Sequence, residues 1–90
     1  MEILQTPTFT KLLKKLHPNQ KRELDIAILE IFSTPEKGEM KKGDLSGIHV
    51  YKCMLVNQLV LIAYKWEKQD KYLTLLTFGS HENFYRNLKK

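Results

Sequence analysis

The sequence predicts an α+β fold: two N-terminal helices packed on one face of a twisted, mainly antiparallel four-stranded sheet. Two observations carry that expectation. Apolar residues recur with helical spacing over the first third of the chain and then, from Ile48, with a period of two. Breakers cluster between the two regimes, at Pro35, Gly38, Gly43 and Gly47. Ninety residues accommodate one small domain, spanning 1–90, with a single core.

In chain order, Glu2 to Thr6 alternates weakly and reads as a short strand. Thr6-Pro7-Thr8 offers a helix cap followed by an early-helix proline. Phe9, Leu12, Leu13 and Leu16 then form the apolar stripe of a short amphipathic helix, with Lys11, Lys14 and Lys15 on its solvated faces. His17-Pro18-Asn19 interrupts the pattern, because a residue preceding proline disfavours the helical region. His17 or Asn19 is placed to cap the next helix, so His17 reads as a turn residue. Leu24, Ala27, Ile28, Ile31 and Phe32 make the stripe of that second helix, with Ile26 beside it. Ser33 to Gly47 reads as a loop that Leu45 anchors to the core.

Over Ile48–Leu55, alternation sets Ile48, Val50, Lys52 and Met54 on one face and His49, Tyr51, Cys53 and Leu55 on the other. Asn57-Gln58 is read as the tight turn. Leu59–Tyr64 is nearly all apolar, as expected of a central strand covered on both sides. Lys65 to Lys71 forms a charged hairpin loop with Trp66 packed beneath it. Tyr72 to Phe78 is the last strand, and one face of the sheet is left free to work.

Fifteen Lys and Arg stand against ten Asp and Glu, a net of +5. Residues 1–44 hold eight basic and seven acidic side chains, whereas residues 45–90 hold seven and three, so the excess lies with the strands and the tail. A nucleic acid or an acidic protein surface complements that balance. Cys53 is the only cysteine, which excludes an internal disulfide and a thiolate metal cluster. The absence of a signal-peptide pattern and of a membrane-length apolar run makes a soluble cytoplasmic protein the expectation. No metal-ligand spacing or phosphate-binding glycine loop is present, so no cofactor is implied.

The stretch Gly79-Ser80-His81 leading to Phe84-Tyr85 is the candidate site. If the tail is helical, His81 and Tyr85 share one face. Histidine titrates near neutrality and suits proton transfer.

With Pro35-x-x-Gly38, Gly43-Asp44-Leu45-Ser46-Gly47, Tyr51-Lys52, the apolar strand ending at Tyr64, Gly79-Ser80-His81 and Phe84-Tyr85 in order, the whole chain resembles the RelE/ParE superfamily of type II toxin–antitoxin toxins. Within it, the Gly-Ser-His form is similar to the YafQ-like members. The resemblance implies a ribosome-dependent mRNA endonuclease, held inactive by a cognate antitoxin and acting on the ribosome and mRNA. His81 would then be the catalytic histidine after the last strand, Lys52 a phosphate-stabilising base on the sheet, and Tyr85 the C-terminal aromatic. The ParE branch, which poisons DNA gyrase without chemistry of its own, is the alternative, as is an inactive relative that only binds its antitoxin. Departures from the endonuclease pattern are visible: Leu59–Tyr64 contains no basic residue, Met54 stands where a companion base is expected, and Asn57 stands where YafQ-like members carry an acid.

Overall fold

A computed structural model describes residues 2–41, 47–66, 69, 71–81 and 84. The elements run β1 (Glu2–Gln5), α1 (Pro7–Lys14), α2 (Pro18–Ser33), a 3₁₀ turn (Pro35–Lys37), β2 (Glu39–Met40), β3 (Ile48–Leu55), β4 (Gln58–Lys65) and β5 (Tyr72–Gly79). They form one sheet in the order β1-β5-β4-β3-β2. β1 lies parallel to β5, and every other neighbouring pair is antiparallel.

Local chemistry sets the helix boundaries. Thr6 is the N-cap of α1, with its Oγ1 accepting from the Phe9 N–H at 3.1 Å and Pro7 just inside the helix. The same hydroxyl donates to the Leu76 carbonyl at 2.6 Å, tying the helix start to β5. His17 holds the N-cap position of α2, where its N–H donates to Gln20 Oε1 at 3.0 Å, and its exposure fits a turn residue. Lys11, Lys14 and Lys15 are exposed, as the stripe requires.

Both helices cover one face of the sheet. Phe9 meets Phe78 edge to face at 5.0 Å, and Leu24, Ala27 and Ile31 of α2 pack with Leu55, Val60, Ile62, Leu73 and Leu75. Trp66 packs against the same core. Parity along β3 follows the period-two reading: Tyr51, Cys53 and Leu55 contribute to the helix-side core, while Ile48 and Val50 contribute to a second cluster on the opposite face.

Three readings need correction. The sheet has five strands rather than four, because β2 arises within the stretch read as loop. Glu39 and Met40 are both exposed, so this two-residue strand carries no burial pattern to reveal it. What places it is tertiary. The Tyr64 hydroxyl donates to the Pro35 carbonyl at 2.5 Å and accepts from the Gly38 N–H at 2.9 Å, which aims the chain along β3. Gly38 is required there, since a Cβ would stand 2.6 Å from that hydroxyl oxygen. His49 stacks on the Tyr64 ring at 5.2 Å, consistent with its expected place opposite Lys52. Leu45, read as a core anchor, lies outside the described residues.

The β3–β4 turn is Val56-Asn57, one residue earlier than read, closed by the Leu55–Gln58 pair. Both residues have positive φ, 48° and 66°, the conformation of a type I′ hairpin turn. A β-branched residue is poorly suited to that region. Val56→Asn is therefore expected to stabilise the protein by about 1 kcal/mol, read as a higher urea midpoint at unchanged slope.

The third correction concerns the face left free. β5 carries an irregularity: Ala63 pairs with Thr77 and Tyr64 with Leu75, leaving Leu76 as the extra residue. Beyond β5, the Phe84 N–H donates to the Ser80 carbonyl at 2.8 Å, closing one helical turn. This turn folds Phe84 back onto Val50, Leu61 and Ala63, where it is 1% exposed. The face away from the helices is thus partly covered by the chain itself.

Candidate functional site: the open face of the sheet

Of the three residues singled out from the sequence, the structure places two, and Tyr85 lies outside the described residues. Lys52 is exposed on the face away from the helices, directly opposite Leu61 of β4, and Leu61 is opposite Gly79 of β5. Two strand spacings, about 10 Å, therefore separate Lys52 from the point where β5 gives way to the His81 turn. His81 is exposed on that turn, three residues before the inward-facing Phe84. Topology brings Lys52 and His81 to the same side of the molecule.

The surroundings of Lys52 are apolar. Val50 and Met54 flank it on its own strand, Leu59 pairs with Met54, and Leu61 lies beneath Phe84. Met54 and Leu59 are 56% and 44% exposed, so an apolar patch stands open beside the lysine. Lys52 makes no ion pair among the described residues. Cleaving a phosphodiester requires a proton acceptor, a proton donor and positive charge at the developing dianion. The described open face supplies Lys52, Lys65 opposite Ile48 and, at its rim, His81.

The helix side holds the more perturbed groups. The Tyr51 hydroxyl donates to Glu30, whose hydrogen-bonded carboxylate pushes the phenol up to about 12, with burial adding to the effect. Burial pushes the neighbouring Cys53 thiol up to about 11, so it stays protonated and unreactive near neutrality. Glu23, Ile26, Ala27 and Glu30 of α2 and residues 51–54 of β3, Lys52 among them, line a groove of about 440 Å³ between the two elements. Sequence reasoning missed this groove because Glu23 and Glu30 look like ordinary exposed helix positions until α2 is docked beside β3. No helix among the described residues is long and apolar enough to cross a membrane.

The architecture is two helices on one face of a mainly antiparallel sheet, whose other face carries Lys52 and Lys65 beside the apolar Met54 and Leu59. It is similar to the intact E. coli RelBE toxin–antitoxin complex, with a TM-score of 0.69 at 14% identity over 87% of this chain and 93% of that one. A doubly substituted E. coli toxin RelE in the free state gives a TM-score of 0.71 at 13% identity, covering 97% and 93%. A conserved hypothetical protein from Helicobacter pylori gives 0.56 at 20% identity, covering 93% and 98%. At these identities the likeness is one of fold. No curated protein matches in sequence.

The family itself is fixed by the model of the ParE-like toxins of type II bacterial toxin–antitoxin systems, which matches residues 3–89. The chain belongs to this family and is the toxin component of such a system. That assignment overturns the favoured RelE/YafQ branch. With it go the ribosome-dependent mRNA endonuclease and the designation of the protein as an endoribonuclease. The physical reason is visible on the sheet. Where an endonuclease is expected to gather a second base around its lysine, this chain has Met54, and its central strand places Leu61 and Ala63 on that face. The Gly-Ser-His resemblance outweighed these departures in the sequence, although they pointed to the correct branch.

Proposed function

We propose that this toxin acts by contact rather than by chemistry: it poisons DNA gyrase, the target of the ParE branch, by docking through the open face of its sheet, and its cognate antitoxin holds it inactive. The observation that supports this reading is the exposed apolar pair of Met54 and Leu59 beside Lys52. Exposed apolar side chains beside a cation suit a protein interface, where they lose water together and the charge sets orientation. Lys52 and His81 then serve as contact residues, and the tail aromatic Tyr85 joins them.

The test is a supercoiling assay with purified gyrase. Lys52→Glu is expected to weaken inhibition at least about tenfold, because it sets a like charge against whatever acidic group the lysine meets. Lys52 is exposed and makes no ion pair among the described residues, so its folded stability should change little, which a melting curve checks. Inhibition unchanged in both Lys52→Glu and Leu59→Ser would remove the open face from the account.

A further inference from the structure

The near balance of charge in the first half of the chain conceals a sharp segregation. Residues 3–22 carry five basic side chains, Lys11, Lys14, Lys15, Lys21 and Arg22, and no acidic one, whereas residues 23–44 carry three basic and six acidic. All five are exposed. Lys11, Lys14 and Lys15 follow i, i+3, i+4 spacing and share the side of α1 turned away from Leu12, Leu13 and Leu16, which pack on the core. Only residues 15–17 separate the two helices, so the cationic end of α1 adjoins the start of α2, where Lys21 and Arg22 stand.

Helix stability explains only part of this arrangement. Lys11 and Lys14 lie in the last turn of α1, where they complement the helix dipole. At α2 the dipole favours acidic residues in the first turn, but that turn has none, and Lys21 and Arg22 follow it directly. Two carboxylates of α2 are turned toward the β3 flank, Glu23 accepting from the Val56 N–H and Glu30 from the Tyr51 hydroxyl, whereas α1 lies over β5 on the other flank. Asp25 pairs with Lys21 at 3.1 Å. Lys11, Lys14, Lys15 and Arg22 make no ion pair among the described residues.

We infer that the α1–α2 corner is a docking surface for the phosphate backbone of duplex DNA, contacted through Lys11, Lys14, Lys15 and Arg22. A polyanion relieves the mutual repulsion of these cations, and exposed lysine and arginine side chains neutralise phosphates without reading sequence. The choice of polyanion follows from what the corner lacks. Residues 10–31 contain no Phe, Tyr or Trp, and Phe9 is fully buried, so the bases of a single strand have no platform to stack on. The leucines of α1 are already packed on the core, so this helix presents no apolar face to a bilayer. Duplex DNA rather than duplex RNA rests on the proposed gyrase reading, since that enzyme holds duplex DNA beside whatever docks on it. The corner lies on the helix side of the sheet and Lys52 on the other, so the DNA and the protein target meet opposite sides of the toxin.

The test is the fluorescence anisotropy of a short labelled DNA duplex titrated with the full chain over a series of salt concentrations. Gyrase is absent from the assay, so a failed DNA titration and a failed supercoiling result are separate readings. The logarithm of the affinity is expected to fall with the logarithm of salt concentration at a slope of about −3 to −4, as four phosphate contacts require. Lys14→Glu/Lys15→Glu should weaken binding at least about tenfold and make the slope shallower by about 2. Lys52→Glu/Lys65→Glu removes the same net charge from the other face of the sheet and should weaken binding less than about threefold. All four lysines are exposed, and a melting curve checks that both variants stay folded. No binding at low salt, equal losses in the two variants, a slope near zero, or tighter binding to a single strand or to duplex RNA of the same sequence would each overturn the inference.

Discussion

Tyr64→Phe is expected to cost about 2–4 kcal/mol of folding stability, because it leaves a buried carbonyl and a buried N–H without partners. The Tyr64 ring is fully buried, and its hydroxyl bonds both the Pro35 carbonyl and the Gly38 N–H. The phenol is kept protonated by burial, the first cause of its raised pKa, so it donates to Pro35 throughout the neutral range. A phenylalanine fits the same space, so the loss isolates the hydrogen bonds rather than packing. For a domain of this size it should lower the melting temperature by roughly 10 °C or more. Gly38→Ala strikes the same junction from the other side by pressing a methyl against the hydroxyl. Because the two changes share one contact, the double variant should lose less than the sum of the two single losses.

Phe84→Ala is the second large effect. The ring is 1% exposed over Val50, Leu61 and Ala63, and truncating a buried phenylalanine typically costs about 3–5 kcal/mol. Here the removal also uncovers the centre of the open face, over which the Ser80–Phe84 hydrogen bond holds the ring. The variant is expected to melt earlier and to bind a hydrophobic dye in its folded state, whereas Tyr64→Phe should melt earlier without dye binding. Dye binding by neither variant would place the stability of Phe84 elsewhere than on that face.

Much of the fold was legible because burial leaves periodic traces. The Thr6 cap, the two helical stripes and the alternation from Ile48 to Leu55 all put apolar groups where the structure buries them, and they set Lys52 and His49 on opposite faces. β2 left no trace because neither of its residues is buried; a tyrosine hydroxyl 26 residues beyond Gly38 positions it, and a strand sequence says nothing about which carbonyl its aromatic will reach. The covering of the open face was equally hidden: Phe84 reads as one more tail aromatic until the turn at Ser80 brings it back over Leu61. For the site, the sequence singled out Lys52 and His81, but residue type alone cannot separate a lysine that holds a phosphate from one that orients a protein contact. The surrounding Met54, Leu59 and Leu61 favour the proposed protein contact, and they were read as departures from a pattern rather than as a surface of their own.

The central claim is that this toxin disables a protein target without cleaving anything. It is tested most directly by measuring gyrase supercoiling of plasmid DNA in the presence of the purified toxin and its His81→Ala variant, with messenger RNA 5′ ends mapped in cells expressing each. The account predicts that the toxin abolishes supercoiling, that His81→Ala retains at least a substantial part of that inhibition, and that neither protein generates new 5′ ends. Supercoiling left intact, together with new 5′ ends on translated messages that vanish in His81→Ala, would contradict it.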